Sequence, residues 1–335
     1  MKKYTQPLLA LSLSAPLLIS QMAYAADDSE EVTVSKPKFN FFTSLGVLNV
    51  EGKDFDPESF ETEVGLSGMV KAKEFKMIYN LTAELSGAIN SQDTGGTGGS
   101  DDIHIKEVNA IFPTAFGTIV LAPRVVSGQN KDLYSNVDLF EYNETHSNIS
   151  ATPTGNTLYG QPAEGDDLIA WVFPKYKGIK FVAAALSIDE DNGEDLDVKA
   201  FRAIYDQGAF NFGIGTVITN KKLASSDENY TRSAISAGYK IDGFHIGTTY
   251  EVNDDTFGTS GDYKTLGVAT RYYLNDEYSV AAGYYNKDSD VDANDDDGVV
   301  LQLKKEVGKN VSFWVEGASY EKAANNFAMG VNLCY

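Results

Sequence analysis

Hydrophobic and polar residues alternate with a period of two over much of the chain. The pattern is clearest in two sets of apolar residues separated by mostly polar or small ones: Phe75, Met77, Tyr79, Leu81, Ala83 and Leu85, and then Phe327, Met329, Val331, Leu333 and Tyr335. Successive side chains of a β-strand point to opposite faces, so each segment predicts a strand with one apolar and one polar face. Helical spacing is not sustained anywhere, and the pattern therefore predicts an all-β protein.

Sixteen segments follow this pattern, and the connections between them alternate in length. The segments are 38–49, 59–72, 75–90, 103–113, 116–124, 167–176, 179–188, 196–206, 209–219, 230–241, 243–253, 262–274, 277–287, 297–307, 310–320 and 326–335. Short turns such as 177–178 and 242–243 contain glycine, which favours two-residue hairpins. Short turns on one side and long loops on the other, with an even strand number, indicate a transmembrane antiparallel β-barrel. A secreted β-sandwich is the alternative, but it gives no reason for turns to be sorted by length.

The N-terminus has the features of an export signal. Lys2 and Lys3 precede an apolar run at 8–19, and the small residues Ala23 and Ala25 are suitable for signal peptidase. Pro16 and the shortness of the run argue against a membrane-spanning helix. We therefore predict a signal peptide at 1–25, a lead-in at 26–37 and one barrel domain at 38–335.

Composition excludes several classes of function. The chain of 335 residues has 27 Lys and Arg, 48 Asp and Glu, and a net charge of −21. Removing a signal peptide that contains Lys2, Lys3 and no acid would change the net charge to −23, which argues against binding nucleic acid. One cysteine is too few for a disulfide framework or a cysteine-based zinc site. Without recognisable hydrolase or metalloprotease motifs, we expect neither an enzyme nor a cofactor.

Three segments resemble the Gram-negative general porin family. They are the C-terminal strand ending in Tyr335, the short apolar strand at 116–121, and the long connection at about 125–166 before a strand resumes. The resemblance implies a sixteen-stranded barrel in the Gram-negative outer membrane, assembled as a homotrimer among lipid and lipopolysaccharide. It also implies that the third loop folds into the lumen and narrows it, and that the assembly machinery recognises Phe327, Val331, Leu333 and Tyr335. A mobile external loop is the alternative, although apolar residues such as Val137 and Phe140 favour packing against the wall.

The resemblance also implies an acidic loop facing basic residues across the narrow part of the pore. The loop candidates are Asp132, Asp138, Glu141 and Glu144, and the basic wall candidates are Arg124, Arg232 and Arg271. This sequence departs from the family pattern because Glu61, Glu63 and Glu84 occupy lumen-facing positions where porins often have arginines. Lys71 and Lys76 are also inward by phase, near the periplasmic mouth. An excess of carboxylates predicts a preference for cations.

Three alternatives remain open from the sequence. Asp288, Asp290 and Asp292 form a weak candidate for a divalent cation site, against a plain solvated loop. Tyr134, Tyr142 and Tyr159 could form an aromatic ladder in a solute-specific porin, for instance for an oligosaccharide, although tyrosines also serve interfacial girdles. An adhesin or phage receptor is an alternative from another class. The principal prediction is a passive diffusion channel for small hydrophilic solutes and ions.

Overall fold

The computed structural model describes residues 32–90, 103–126, 133–143, 158–161, 164–188, 196–224, 226–257 and 261–335. Most of these residues belong to one antiparallel sheet. Its strands are β1 (Val32–Val34), β2 (Lys38–Val50), β3 (Asp56–Ala72), β4 (Phe75–Glu84), β5 (His104–Thr114), β6 (Gly117–Val126), β7 (Glu164–Val172), β8 (Ile179–Leu186), β9 (Val198–Gln207), β10 (Phe210–Thr219), β11 (Tyr230–Ile241), β12 (Phe244–Asp254), β13 (Tyr263–Tyr273), β14 (Tyr278–Ser289), β15 (Asp296–Val307), β16 (Val311–Tyr320) and β17 (Asn326–Cys334). The predicted signal peptide lies outside the described residues.

Strands β2 to β17 form a closed barrel, which confirms the sixteen strands expected. Each pairs antiparallel with its neighbours, and β17 closes the ring against β2 with Cys334 opposite Phe42. The backbones of Tyr335 and Phe41 extend this seam through hydrogen bonds of 2.8 and 2.9 Å. The short strand β1, within the predicted lead-in, pairs with β3 beyond the point where β2 begins. It therefore extends the wall in line with β2 and does not add a seventeenth strand to the closed ring.

The two faces of the wall differ as the alternation predicts. Outward residues are apolar and exposed, such as Ile214 at 59% and Ile235 at 56%, whereas inward Thr249 and Thr265 are fully buried. An apolar outer surface is suited to hydrocarbon, and the closed sheet leaves no unpaired edge within it. In the described part, no helix is both long enough and apolar enough to cross a membrane.

Short turns and long connections lie at opposite ends of the barrel. The turns at 115–116, 208–209 and 242–243 join consecutive strands at the same end as Tyr335. Gly243 has a φ of 76°, a conformation that glycine adopts without steric cost. By the usual arrangement of bacterial barrels, we call this the periplasmic end and the opposite one the external end.

One predicted strand is shorter than its pattern indicated. The expected segment 75–90 ends as a strand at Glu84, and Ser86–Asn90 forms a short helix, α1. The Asn90 side chain accepts from the Ser59 amide at 2.9 Å and donates to the Ser59 carbonyl at 3.0 Å. These bonds satisfy the backbone of β3 in place of a strand partner, which a single-strand pattern does not reveal.

Candidate functional site

Part of the connection between β6 and β7 lies inside the barrel. We call its described residues 133–143 the constriction segment. Leu133, Val137 and Phe140 are between 0% and 5% exposed. They pack in one cluster with inward side chains of the wall: Ile204, Ala234, Ala269, Ala281, Tyr285, Val300, Ala318 and Tyr320. The prediction that apolar residues attach this loop to the wall is therefore confirmed for the described residues.

Hydrogen bonds fix the first half of the constriction segment to β10, β11, β12 and β14. Asn136 donates to Asn211 at 2.9 Å and to Ser236 at 2.7 Å. The Thr249 hydroxyl donates to the Leu133 carbonyl at 2.7 Å, and the Tyr285 hydroxyl donates to the Val137 carbonyl at the same distance. The segment is thus held through its backbone as well as its side chains, which limits its freedom to move.

Glu316 on β16 anchors the second half of the segment. Its carboxylate is 1% exposed and accepts the backbone amides of Glu141 at 2.9 Å and Asn143 at 2.7 Å. The side-chain amides of Asn143 and Gln302 donate to it as well, at 2.7 and 2.8 Å. A buried carboxylate needs such donors to offset its lost hydration, and here most of them belong to the constriction segment.

Glu251 on β12 is a second fully buried anchor. It accepts from the Gly160 amide at 2.6 Å, from Asn253 at 2.7 Å and from the Tyr134 hydroxyl. Burial, followed by the charge of Glu251, raises the pKa of Tyr134 well above its usual value. The phenol therefore stays protonated and remains a donor at neutral pH.

The wall beneath the constriction segment consists partly of glycine. Gly238 and Gly247 face each other across β11 and β12. A β-carbon on Gly247 would lie 2.2 Å from the Asn136 carbonyl oxygen, and one on Gly238 would lie 2.1 Å from the Asn136 side-chain oxygen. Only glycine leaves room for the loop backbone to approach the sheet so closely.

The three arginines proposed for the wall are engaged in different places. Arg232 is 6% exposed and donates to the Gly160 carbonyl, while Arg271 donates to the Leu139 carbonyl and, at 2.8 Å, to Gln302. Both therefore bind the backbone of the connection instead of facing its acidic side chains across open lumen. Arg124 lies at the external end of β6 and pairs with Glu164, at 2.7 Å, and Asp166 on β7.

The acidic wall positions lie on β3 and β4. Glu61 and Glu63 on β3 both contact the ammonium group of Lys106, with a distance of 2.5 Å for Glu63. Glu84 is the cross-strand neighbour of Glu63 and lies at the external end of β4. The structure thus adds Lys106, a basic residue that sequence reasoning did not select, to these carboxylates.

Two of the four acidic loop candidates can be located. Asp138 is half-buried, and Glu141 accepts from Lys304 at 2.8 Å and from Asn332 at 2.7 Å. Asp132 and Glu144 lie outside the described residues. The Glu141 carboxylate is therefore paired with Lys304 of β15, one of the strands against which the constriction segment packs.

The tyrosines of the candidate ladder do not form a continuous exposed surface. Tyr134 and Tyr159 are 2% and 0% exposed and pack edge to face, with ring centroids 5.2 Å apart. Tyr142 instead packs against Phe60 of β3 at 5.5 Å, and its burial raises its pKa to about 12. Two of the three rings are therefore covered by protein, which disfavours their use as a sliding surface for a solute.

The aspartates considered for a divalent cation lie at the external end of β14. Asp288 belongs to β14, while Asp290 and Asp292 follow it. Among the residues whose positions are described, no group of three or more histidine, cysteine, aspartate or glutamate side chains is arranged to hold a metal ion.

Several residues important to the site were not selected from the sequence. Glu251 and Glu316 occupy the polar phase of their strands, where a solvated glutamate would give the same pattern. Lys304 likewise alternates with the apolar residues of its strand, as any lysine that faces the lumen would. Nothing in the alternation distinguishes a carboxylate covered by a loop from one that faces water, because the loop is remote in sequence.

The sequence profile of the Gram-negative porin family matches residues 12–325, which is most of the chain. This protein belongs to the Gram-negative porin family. It is therefore an outer-membrane porin channel, as the resemblance in its C-terminal strand and long third connection implied. No curated protein sequence matches this porin significantly.

Solved structures similar to this porin have the same barrel. The anion-selective porin from Comamonas acidovorans has a TM-score of 0.68 at 13% identity, covering 91% of this chain and 100% of that one. OmpF of Salmonella typhi, in complex with daunomycin, has a TM-score of 0.66 at 12% identity, with 90% and 98% covered. A trimer form of OmpT from Vibrio cholerae has a TM-score of 0.62 at 16% identity, with 91% and 99% covered. At these identities the likeness establishes the fold alone.

The described residues of the constriction segment contact a large part of the inner wall. The segment lies along β9 to β17, and its end reaches Phe60 on β3 through Tyr142. Glu61, Glu63 and Lys106 lie on the inner face of the neighbouring strands β3 and β5.

Proposed function

We propose that this porin is a passive diffusion channel for small hydrophilic solutes and ions, with a preference for cations. The observation that carries the proposal is the constriction segment packed inside a barrel whose inner wall has an excess of carboxylates on β3 to β7. On β3 to β7, the inward carboxylates Glu61, Glu63, Glu84, Glu107, Glu164 and Asp166 outnumber the inward bases Lys71, Lys76, Lys106 and Arg124. Negative charge along a narrow, low-dielectric passage lowers the entry barrier for cations and raises it for anions. No chemical step takes place.

Planar-bilayer recordings test both parts of this function. We expect stepwise conductance from the purified protein, and a reversal potential in a salt gradient whose sign indicates cation preference. Absence of conductance would overturn the channel, whereas a reversal potential of the opposite sign would overturn only the selectivity. Liposome swelling with sugars of graded size should show a smooth decline in rate. A single sugar entering far faster than its size predicts would favour a solute-specific porin instead.

Lys106 offers a sharper test of the selectivity. Replacing Lys106 with methionine removes the ammonium group between Glu61 and Glu63 while keeping a long apolar stem. We expect the cation-to-anion permeability ratio to rise about two-fold, because two lumen carboxylates lose their counter-ion. Lys305, which contacts the ring of Tyr278 on β14, provides a matched control, since Lys305→Met removes the same charge elsewhere. An unchanged reversal potential in Lys106→Met would contradict this role for the wall carboxylates.

We further propose that the mature protein is a homotrimer, exported through a cleaved signal peptide at 1–25. A trimer form among the similar structures supports this assembly. The terminal strand supports recognition by the outer-membrane assembly machinery: Phe327 and Leu333 are exposed on it at 39% and 38%, followed by Tyr335 at 93%. Channel closures in groups of three would support the trimer, and N-terminal sequencing of the purified protein tests the cleavage site.

A further inference from the structure

Inward-facing charges are mainly basic near the periplasmic end of the lumen and mainly acidic towards the external ends of β3 to β7. The basic end also contains two inward carboxylates, Asp206 and Glu306. Near the periplasmic end, five lysines occupy the inward phase of their strands: Lys38, Lys71, Lys76, Lys180 and Lys240. We call them the periplasmic lysine ring. Each lies within a few residues of a periplasmic turn or, for Lys38, at the periplasmic start of β2.

The cross-strand register assigns these lysines to the inner face. Lys71 is opposite Lys76, on the same face as the pairs Ser67–Asn80 and Glu63–Glu84. Lys38 is opposite Ser67, and Lys180 is opposite Ile204, which packs under the constriction segment. Lys240 shares its face with Gly238 and buried Ser236. The ring therefore lines the periplasmic mouth from several sides of the barrel.

The same strands carry carboxylates further towards the external end. Eight residues separate Lys71 from Glu63 on β3, and eight separate Lys76 from Glu84 on β4. At roughly 3.3 Å per residue this is about 26 Å along each strand. The Debye length is about 10 Å at 0.1 M salt, so the two zones act as separate fixed charges at moderate ionic strength.

We propose that these two zones in series make the channel conduct asymmetrically, with larger currents when the external side is positive. This inference deepens the proposed channel function and rests on it. With the external side positive, cations enter through the acidic zone and anions enter from the periplasm through the lysine ring. Both ions then accumulate where the zones meet, and the conductance rises. With the opposite polarity, each zone repels the ion that would have to enter through it, and the region between them is depleted.

Current–voltage curves of the purified full-length mature protein in planar bilayers test this proposal. At about 0.1 M salt we expect currents about 1.5-fold to two-fold larger with the external side positive, because the zones are then resolved electrostatically. At about 1 M salt, where the Debye length is about 3 Å, the curve should become linear. The single cysteine, Cys334, is exposed at the periplasmic mouth, so a maleimide attached to a carrier too large to enter the channel, added to one side, reports the orientation.

Two triple variants distinguish the effect of the lysine ring from the effect of losing three positive charges anywhere in the protein. Lys71→Gln, Lys76→Gln and Lys240→Gln together remove three of the five ring charges and should remove most of the asymmetry. The matched control combines Lys199→Gln, Lys264→Gln and Lys305→Gln, three exposed or outward positions, and should keep it. A linear curve for the natural protein at low salt, the opposite polarity, or undiminished asymmetry in the ring variant would each overturn the proposal. No conductance at all would instead overturn the channel function on which it rests.

Discussion

Replacing Glu316 with alanine should raise the single-channel conductance about two-fold and increase current noise, because the change leaves the buried amides of Glu141 and Asn143 without an acceptor. An unsatisfied buried donor costs about 1–3 kcal/mol, so the segment should leave its place on β16 and enlarge the passage. The barrel itself should remain folded, since its ladder of backbone hydrogen bonds does not depend on this side chain. Single-channel recording and swelling assays with larger sugars measure the effect.

Glu306 provides the matched control for this experiment. It lies on the adjacent strand β15, has a side chain 45% exposed, and contacts Lys304 at 3.3 Å. Glu306→Ala removes the same charge without removing an acceptor for the constriction segment, and its conductance should stay close to that of the natural protein. A conductance in Glu316→Ala indistinguishable from that of Glu306→Ala would show that Glu316 does not hold the segment.

Replacing Gly247 with alanine should also displace the constriction segment, in this case by steric overlap with an added methyl group. The new methyl group would lie 2.2 Å from the Asn136 carbonyl oxygen and 2.8 Å from its carbonyl carbon, and backbone atoms cannot rotate away as a side chain can. Overpacking of this kind costs about 1–3 kcal/mol, and the strain is relieved only if the segment moves. We expect broadened conductance levels and faster proteolytic cleavage within the segment.

Gly317→Ala is the corresponding control in β16. The nearest atom to a new β-carbon there is 3.8 Å away, an ordinary van der Waals contact. This variant should have the conductance and protease resistance of the natural protein. If Gly247→Ala behaved in the same way, close backbone packing between the segment and β12 would not be what sets the width of the channel.

The alternation of side chains was sufficient to predict the barrel wall. A period of two assigns each residue to one face, and the sixteen predicted segments match the barrel strands to within a few residues at most ends. The exception at 85–90 has a local cause, since Asn90 satisfies the backbone of Ser59 and replaces strand pairing. The acidic excess of the lumen wall was visible for the same reason, because Glu61, Glu63 and Glu84 share the polar phase.

The partners of the inward charged residues could not be predicted in this way. Arg232 and Arg271 are inward, as their phase indicated, but they bind carbonyl groups of the connection between β6 and β7. Glu251 and Glu316 likewise accept donors that are more than 90 residues away in sequence. Phase tells which way a side chain points and contains no information about a loop folded over it.

The sequence by itself determined the strands, their two faces, the membrane-facing exterior and the acidic wall, because these follow from local alternation and composition. Only the tertiary structure decided the course of the constriction segment, the burial of Glu251 and Glu316 beneath it, and the pairing of Lys106 with Glu61 and Glu63. These features arise from contacts between distant parts of the chain, and such contacts exist only once the barrel has closed around its own loop.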